Sequence, residues 1–371
     1  MVFAKNEIYF LHAKNKYAGQ HNFKISQNYV GLMKLREDEV VEVLRSLRNS
    51  DDLKSIKEEA SSIVVELREK KKYEALVEIL EKVVNSYSLE RAKYYITSAI
   101  KYLTEVKTNG INDINLNRWR EYRDVLTDSL WIFPNRDRGN GHSAWYWGNF
   151  VPQIPRQLMY RYTKKYEWVL DPFCGSGTTL IEALHLGRNC IGIELSEEIA
   201  KKSMEVVQKI DNKFGVRAEI IVGDSVEMDF GEIAEKFGID GFKLAILHPP
   251  YHDIINFTDD PRDLSNSPTI EVFLDKLEKV VEKTYRVLKS PGYMAMVIGD
   301  KYENSEWIPL GFYAMQRAMK IGYRLKSIVV KNFELGRTRG KRFQKELWRY
   351  RALVGGFYIF RHEYIFIFEK R

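Results

Sequence analysis

Hydrophobic residues recur at intervals of three and four along the first part of the chain, from about Val30 to Val106, with charged residues between them. The runs Ile63–Leu67 and Leu76–Val84 show this spacing, and no glycine lies between Gly31 and Gly110. Such a pattern predicts several α-helices packed together, because one face of each helix carries the apolar side chains. We therefore expect a mainly helical N-terminal domain over residues 1–130, serving recognition of a target, oligomerisation or stability.

The region after these helices carries fewer regular signals. Asn109-Gly110 and the polar residues that follow are typical of a linker, and Trp119–Phe133 has the spacing of one further helix. Residues 134–148 are rich in turn-forming and aromatic residues, which suits either an ordered lid or a surface crossing. Asn149–Met159 then leads into a short amphipathic helix.

From Glu167 onward, short apolar runs alternate with helical patterns such as Glu197–Asp211 and Ile270–Leu288. This alternation is typical of the α/β class, in which helices cover a mostly parallel sheet. The predicted strands are Trp168–Leu170, Cys190–Leu195, Ala218–Val222, Leu244–Leu247, Tyr293–Ile298, Leu325–Val330 and Tyr364–Phe368. Because ligands bind beyond the carboxyl ends of such strands, polar residues at those ends form the candidate site.

A glycine turn follows the first of these strands. Residues 167–179 read Glu-Trp-Val-Leu-Asp-Pro-Phe-Cys-Gly-Ser-Gly-Thr-Thr, so the strand ends at Asp171 and a helix begins after the glycines. Gly175 and Gly177 allow backbone amides to approach a ligand at the helix N-terminus. The turn lacks the lysine of a phosphate-binding loop and the three glycines of a dinucleotide fingerprint. Asp171 can accept a hydrogen bond from an ammonium or hydroxyl group, so the turn suits a zwitterionic amino acid.

Two segments carry a family resemblance. Asp171–Thr179 resembles the S-adenosylmethionine loop of the amino-group DNA methyltransferases, which methylate the N6 amine of adenine or the N4 amine of cytosine. Leu244–Tyr251 is similar to the catalytic motif of that family, usually Asp, Asn or Ser followed by Pro-Pro-Tyr. The resemblance implies a Rossmann-like methyltransferase domain over 131–371, with a seven-stranded, mostly parallel sheet whose last strand is antiparallel. It also implies S-adenosylmethionine as the cofactor.

The cofactor site that the resemblance implies is built from strand ends. Its glycine turn supplies Asp171, Pro172, Phe173, Gly175, Ser176, Gly177 and Thr178. Glu194, followed by Leu195, ends the second strand, where an acid can accept from both ribose hydroxyls. Asp224, followed by Ser225, ends the third strand and can accept from an adenine amine, with helix capping as the alternative. In the family, residues placed like Asn149 and Gln153 contact the methionine end of the cofactor; alternatively they belong to a proline-bounded helix start.

The tetrapeptide His248-Pro249-Pro250-Tyr251 suits catalysis on an exocyclic amine. The lone pair of such an amine is delocalised, so two acceptors, one side chain and one backbone carbonyl, must draw its hydrogens out of the ring plane. The prolines have no N–H and a fixed φ, which leaves a rigid carbonyl, and Tyr251 offers a stacking face for a flipped base. His248 departs from the family pattern and can accept a hydrogen bond only when neutral. Alternatively, the tetrapeptide simply ends a buried strand.

The distribution of charge indicates where a polyanion would bind. The 371-residue chain has a net charge of +7, whereas residues 320–371 contain 14 Lys and Arg against 4 Asp and Glu, so this segment carries +10 and the rest −3. A local excess favours a nucleic-acid contact, although a solvated lysine-rich surface is the alternative. A flexible basic loop is predicted over 331–351, and a polar mobile loop over 251–268 beside the tetrapeptide. The candidate DNA-backbone contacts are Arg337, Arg339, Lys341, Arg342, Lys345 and Arg349.

The remaining composition limits the class of protein. Cys174 and Cys190 are the two cysteines of the sequence, so neither a disulfide framework nor a four-cysteine zinc site is expected, and no metal is assigned. No long uncharged apolar run or signal-peptide pattern is present, so we expect a cytoplasmic protein that does not bind a membrane.

Together these observations predict a site-specific methyltransferase acting on a flipped base of double-stranded DNA, as a monomer or homodimer. Cytosine N4 is slightly favoured over adenine N6, because the tetrapeptide does not begin with Asp. The Pro-Cys nucleophile motif of the cytosine-C5 enzymes is missing from the sequence. The alternatives are methylation of RNA guanine N2, of a protein glutamine or of another amino group, and a catalytically silent DNA-binding subunit of a restriction-modification system.

Overall fold

The computed structural model describes residues 36–371 except Asn140, Ser143, Ala144, Trp147, Ser305 and 333–338, and it describes the backbone alone for Lys71 and 339–345. Two compact units divide the chain between Thr104 and Glu105. Among the helices so described, none has the length and apolar character needed to cross a membrane.

The first unit contains helices whose apolar faces meet in one core. These helices are α1 (Glu37–Asn49), α2 (Leu53–Leu67), α3 (Glu74–Val84) and α4 (Leu89–Thr104). Leu44, Ile56, Leu76, Leu80 and Ile96 are fully buried in this core. The apolar spacing therefore predicts these helices correctly, and the part of the expected helical region before residue 36 lies outside the described residues.

The boundary between the units falls earlier than residue 130, where the sequence suggests it. The intervening segment is hydrogen-bonded into the second unit. Asn112 donates through Nδ2 to the carbonyl of Arg161 at 2.8 Å, and Leu126 donates its N–H to Gln157 Oε1 at 2.7 Å. These contacts link residues far apart in sequence, so no local pattern could reveal them.

The second unit is built on an eight-stranded sheet. The strands of the unit are β1 (Leu130–Trp131), β2 (Trp168–Asp171), β3 (Asn189–Glu194), β4 (Ala218–Val222), β5 (Phe242–Leu247), β6 (Leu288–Ile298), β7 (Lys301–Glu303), β8 (Glu306–Ile308), β9 (Arg324–Asn332) and β10 (His362–Lys370). The sheet order is β1-β9-β10-β6-β5-β2-β3-β4, and β7 and β8 form a separate hairpin. All seven predicted strands are present, and β10 lies antiparallel between β6 and β9, as the resemblance implies.

Helices cover both faces of this sheet. The described helices of the unit are α5 (Gln153–Tyr162), α6 (Thr178–Leu186), α7 (Glu197–Val207), α8 (Phe230–Phe237), α9 (Ile270–Val287), α10 (Leu310–Ile321) and α11 (Arg339–Gly355). The core on one face contains residues of α5, α6 and α7, and the core on the other contains residues of α8, α9 and α10. This three-layer, doubly wound arrangement is the predicted Rossmann-like fold.

Three local predictions need correction. Trp119–Phe133 does not form an α-helix; the chain there contains a 3₁₀ segment at Leu116–Glu121 and the edge strand β1. The basic region predicted as a flexible loop is helical from Arg339, because Lys, Arg, Gln, Glu, Leu and Ala dominate it and these residues favour helices. The polar stretch 251–268 contains two 3₁₀ turns and internal hydrogen bonds such as Thr258 Oγ1 to Asp263 Oδ2 at 2.9 Å.

Candidate active site

The glycine turn connects β2 to α6 and enters the left-handed region at both glycines. Gly175 has φ +47° and Gly177 has φ +75°, a conformation that glycine adopts far more readily than other residues. The Gly175 N–H donates to Glu194 Oε2 at 3.0 Å, and Ser203 Oγ donates to the Gly175 carbonyl at 2.7 Å. The acid that ends β3 and a serine of α7 therefore hold the turn from two sides.

Asp171 is fully buried at the end of β2. Its Oδ1 accepts from the Phe173 N–H at 3.0 Å, and its Oδ2 is buried without a hydrogen-bond partner among the described residues. Burial raises the pKa of this carboxyl to about 7, because the charged form loses its water. Asp171 thus stabilises the turn by accepting a hydrogen bond from its backbone, whereas the sequence suggests direct contact with a ligand ammonium group.

The acids at the next two strand ends line a common cavity with the turn. Glu194 Oε1 accepts from the Ser196 N–H at 2.9 Å, and Asp224 Oδ1 accepts from the Val226 N–H at 2.8 Å. Each acid therefore stabilises the turn that follows its strand while remaining on the cavity wall. Burial raises the pKa of Glu194 above its ordinary value.

Asn149 and Gln153 behave differently. Asn149 lines the cavity and donates through Nδ2 to Ser176 Oγ at 3.0 Å. Gln153 is the first residue of α5 and does not line the cavity; its Nε2 donates to the Asn135 carbonyl at 2.8 Å, and its Oε1 accepts from the Asp137 N–H at 3.2 Å. Gln153 therefore holds the segment before α5 in place.

The tetrapeptide 248–251 begins directly after β5, and all four of its residues line the cavity. The Phe150 ring packs on the imidazole of His248 with centroids 4.8 Å apart. Burial lowers the pKa of His248 to about 4, so the imidazole is neutral at physiological pH. A neutral imidazole can accept a hydrogen bond, as the proposed role of His248 requires.

The cavity itself has a volume of about 700 Å³, within the usual range for small-molecule sites. The predicted site residues on its wall are Asn149, Pro172, Phe173, Gly175, Ser176, Thr178, Glu194, Leu195, Asp224, Ser225, His248, Pro249, Pro250 and Tyr251. Asp171, Gly177 and Gln153 lie off the wall. The structure therefore brings the glycine turn and the tetrapeptide to one cavity, which neither motif could establish alone.

Comparison with known proteins decides the family. A family model described as DNA methylase (N6_N4_Mtase) matches residues 2–205, more than half of the chain. The chain belongs to this DNA methylase family. The match includes the glycine turn, and the tetrapeptide lies beyond it.

Curated relatives match this chain over shorter segments. Type II methyltransferase M.MthZI of Methanothermobacter thermautotrophicus is 36% identical over 129 residues, covering 33% of this chain and 32% of the relative. Type II methyltransferase M.BglI of Bacillus subtilis is 30% identical over 105 residues, covering 28% of each chain. The chain spans a third or less of the length of the curated relatives it matches. Among solved structures, TrmN from Thermus thermophilus has a TM-score of 0.39 at 14% identity, covering 77% of this chain and 68% of that one.

The cofactor is S-adenosylmethionine, and the residues on the cavity wall fit it. The glycine turn would receive its amino-acid end, because the turn leads into the N-terminus of α6, where backbone N–H groups suit a carboxylate. Gly175 has no room for a larger residue, since a Cβ there would come within 2.9 Å of a neighbouring ring. Glu194 and Asp224 present carboxylates on the same wall, which suit ribose hydroxyls and an adenine amine. The two carboxylates and the glycine turn together therefore match a nucleoside joined to an amino acid.

Two aromatic residues that sequence reasoning missed line the cavity. Tyr146, from the segment before α5, and Phe257, from the segment after β5, both line it. Their position depends on long-range packing, although the density of aromatic residues around 145–150 was a usable signal. Arg136, Arg138 and Gly148, from the same segment as Tyr146, also line the cavity.

A buried ion network anchors that segment to α6. Glu182 is fully buried; it accepts from His142 Nε2 at 2.7 Å and from Arg156 at 2.8 Å through both oxygens. Arg156 also pairs with Asp137 at 2.9 Å. Burial alone would raise the pKa of Glu182, but the hydrogen bonds from His142 and Arg156 outweigh it and hold the pKa below its ordinary value.

The predicted DNA contacts are described only in part. Arg337 lies outside the described residues, and Arg339, Lys341, Arg342 and Lys345 belong to α11 with their side chains outside the description. Arg349 is exposed on the same helix. Large exposed apolar side chains accompany it on α11, namely Leu347, Trp348, Tyr350, Leu353 and Val354.

Proposed function

We propose that the protein transfers a methyl group from S-adenosylmethionine to the exocyclic amine of a flipped base in double-stranded DNA, with cytosine N4 favoured over adenine N6. The observation that carries this proposal is the shared cavity of Gly175 and Tyr251. The methyl donor and the methyl acceptor must meet in one site. Gly175 lies in the part of the cavity proposed for the donor, and Tyr251 lies in the part proposed for the acceptor. Membership of the DNA methylase family and the similarity to Type II methyltransferases support the same activity.

The cofactor half of the cavity would be held by the glycine turn, Glu194 and Asp224, with Asn149 beside Ser176 at the methionine end. When bound, S-adenosylmethionine supplies an activated methyl group that an amine can accept directly, without a covalent enzyme intermediate. Glu194 performs two tasks, because the same carboxylate that would face the ribose also accepts from the Gly175 N–H. Binding and the shape of the turn are therefore coupled.

The base half would be held by the tetrapeptide. A neutral His248 and the carbonyl of Pro249 would each accept one hydrogen of the amine, which returns the lone pair to the nitrogen. Burial, which lowers the pKa of His248 to about 4, keeps the imidazole an acceptor at neutral pH. The departure from the family pattern is thus compatible with catalysis.

The DNA backbone would contact the basic region 331–351. Arg349 and Arg351 are exposed on α11, and Arg351 lies over the Trp348 ring at 5.4 Å from its centroid. Basic and aromatic side chains together suit phosphates and unstacked bases.

The helical unit that ends at Thr104 is a second candidate for target recognition or for assembly into a homodimer.

Transfer of a tritiated methyl group tests the function. Purified protein is incubated with labelled S-adenosylmethionine and, in parallel, with duplex DNA, transfer RNA and a protein extract. Label on DNA, followed by identification of the modified base, supports the proposal and decides between cytosine and adenine. Label on RNA or protein alone would reject it, and tight cofactor binding without transfer to any of them would indicate a silent DNA-binding subunit.

A further inference from the structure

We propose that Glu363 and Lys331 are positioning residues that act through Tyr251 to fix the hydrogen of His248 on Nε2, leaving Nδ1 as the acceptor for the substrate amine. This inference rests on the proposed function for its catalytic consequence, although its structural part can be tested alone. Glu363 and Lys331 lie on β10 and β9, far in sequence from the tetrapeptide, and both line the cavity.

The chain of contacts begins with an ion pair. Lys331 and Glu363 are directly opposite each other in the antiparallel pairing of β9 and β10. Lys331 Nζ lies 3.0 Å from Glu363 Oε1, and the two side chains are only 8% and 4% exposed. A lysine held this close to a buried carboxyl favours its ionised form. An ionised carboxylate can only accept hydrogen bonds.

The second contact fixes the hydroxyl of Tyr251. Its O–H donates to Glu363 Oε2 at 2.7 Å. A phenol has a single hydrogen, so this hydroxyl can serve any other neighbour only as an acceptor. The ring position is fixed at the same time, because Tyr251 packs against Gly299, where an added Cβ would come within 3.0 Å of the ring.

The third contact decides the tautomer of the histidine. His248 Nε2 lies 3.1 Å from the Tyr251 oxygen. Because that oxygen has already given its hydrogen to Glu363, Nε2 must be the donor. A neutral imidazole carries one hydrogen, so Nδ1 keeps its lone pair. Among the described residues, the hydrogen bond of the His248 side chain is the one that Nε2 makes with Tyr251.

The consequence concerns the unusual first residue of the tetrapeptide. Asp, Asn and Ser, which the family uses there, always present an oxygen acceptor, whereas histidine presents one only in the correct tautomer. The groups that face His248 are Tyr251, Glu363, Lys331 and the Phe150 ring. Two of them, Glu363 and Lys331, therefore make histidine functionally equivalent to the usual oxygen acceptors.

Nuclear magnetic resonance tests the tautomer directly, without turnover. The chain is labelled with nitrogen-15 histidine, and long-range proton–nitrogen correlations report which ring nitrogen carries the hydrogen; His248→Asn identifies the signals. We expect Nε2 to be protonated in the unaltered protein. Protonation at Nδ1, or an equal mixture of both forms, would overturn the inference whether or not the protein methylates DNA.

A double variant tests the role of the ion pair. Lys331→Met with Glu363→Leu removes both charges while keeping similar volumes, so no unpaired buried charge remains. The Tyr251 hydroxyl then loses its acceptor and can donate to Nε2, which moves the histidine hydrogen to Nδ1. We expect that switch in the spectrum and a fall in kcat of about tenfold or more, with the Kd for S-adenosylmethionine changed by less than about twofold.

The same two strands supply a matched control. Lys326 and Glu369 also pair across β9 and β10, near their other ends, at 3.5 Å. Lys326→Met with Glu369→Leu should leave the tautomer and kcat unchanged, so a loss there as large as in the first variant would assign the effect to general destabilisation. His248→Asn should also make kcat insensitive to the Lys331 and Glu363 changes, because asparagine keeps an acceptor oxygen. Equal sensitivity in that background would contradict the inference.

The two proposals fail separately. If the unaltered protein transfers no methyl group to DNA, the proposed function fails while the spectrum still tests the tautomer. If it methylates DNA with the hydrogen on Nδ1, the function stands and the role of Glu363 and Lys331 fails.

Discussion

Tyr146 and Phe257 stack with ring centroids 5.9 Å apart and ring planes 20° apart. Tyr146 belongs to the segment before α5, and Phe257 belongs to the segment after β5, so this contact joins the two loops that border the cavity. Tyr146 also lies against the glycine turn, where a Cβ on Gly175 would come within 2.9 Å of its Cε1. The aromatic pair therefore connects the glycine turn to the loop that follows the tetrapeptide.

Replacing Phe257 should weaken cofactor binding without unfolding the protein. Phe257→Leu removes the ring on which Tyr146 stacks, so Tyr146 is held less firmly over the turn. We expect the Kd for S-adenosylmethionine, measured by calorimetry, to rise by about three- to tenfold, the equivalent of one aromatic pair. Phe237→Leu on α8 provides a control that should leave the Kd unchanged, and equal Kd values in all three proteins would reject the role of the pair.

Gly175 should tolerate no side chain. Gly175→Ala places a Cβ against Tyr146 and forces a left-handed conformation, so we expect loss of measurable S-adenosylmethionine binding and a decrease of about 1–3 kcal/mol in the free energy of unfolding. Denaturant titration and calorimetry measure these quantities.

Gly238 offers the matched control for that change. It ends α8 with φ +67°, and a Cβ there meets nothing within 4 Å. Gly238→Ala should therefore cost similar backbone energy while leaving cofactor binding intact. Loss of binding in both variants would show that the backbone cost alone explains the result at Gly175.

Asp171 should make stability depend on pH. Burial raises its pKa to about 7 in the folded protein, above the value near 4 of an unfolded aspartate. The folded form therefore binds the proton more tightly, so this contribution is present below about pH 4 and is lost as the pH rises to about 7. Asp171→Asn should remove that fall, which urea titrations from pH 4 to 8 would measure; identical slopes in both proteins would refute it.

The same residue should decide cofactor binding through the turn. Asp171→Ala removes the acceptor of the Phe173 N–H and should abolish S-adenosylmethionine binding. Asp171→Asn keeps an oxygen for that N–H and should retain part of it. An unchanged dissociation constant for Asp171→Ala would contradict this prediction.

Glu182 should be essential to the anchored segment before α5. Glu182→Gln leaves Arg156 without its buried carboxylate, and breaking such a pair costs about 3–5 kcal/mol of unfolding free energy. Denaturant titration measures the loss. Glu81→Gln, which breaks the exposed pair of Glu81 with Arg68, should cost less than about 1 kcal/mol, and similar costs for the two variants would be evidence against a structural role for the buried network.

Neutralising basic residues of α11 should reduce the salt dependence of DNA binding. Arg349→Gln with Arg351→Gln removes two exposed charges, and each lost phosphate contact lowers the slope of log K against log salt by about 0.9. Fluorescence anisotropy at several salt concentrations measures that slope. The exposed residues Lys236, Lys279 and Arg286, changed together to Gln, should leave the slope unaltered; an unaltered slope for the α11 variant as well would reject this helix as the DNA contact.

Much of the fold could be predicted because local patterns report local backbone geometry. The apolar runs gave all seven long strands, and the glycine turn gave the start of α6 at Thr178. The failures lie where tertiary packing overrides local preference. Leu130–Trp131 is a strand because it pairs with Val330 and Lys331 on β9, and nothing in its own sequence shows that partner.

The candidate site divides in the same way. The amino-acid sequence by itself determined that Asp171, Glu194 and His248 stand at strand ends, and the carboxyl ends of parallel strands lie at one edge of the sheet. The chemistry of these residues indicated a site for a methyl donor and a methyl acceptor. Only the tertiary structure decided that Asp171 is buried below the turn, and that Tyr251 finds its partner Glu363 112 residues later. The reason is physical: insertion of β10 between β6 and β9 fixes a register across distant strands, and that register places an ion pair beside the tetrapeptide.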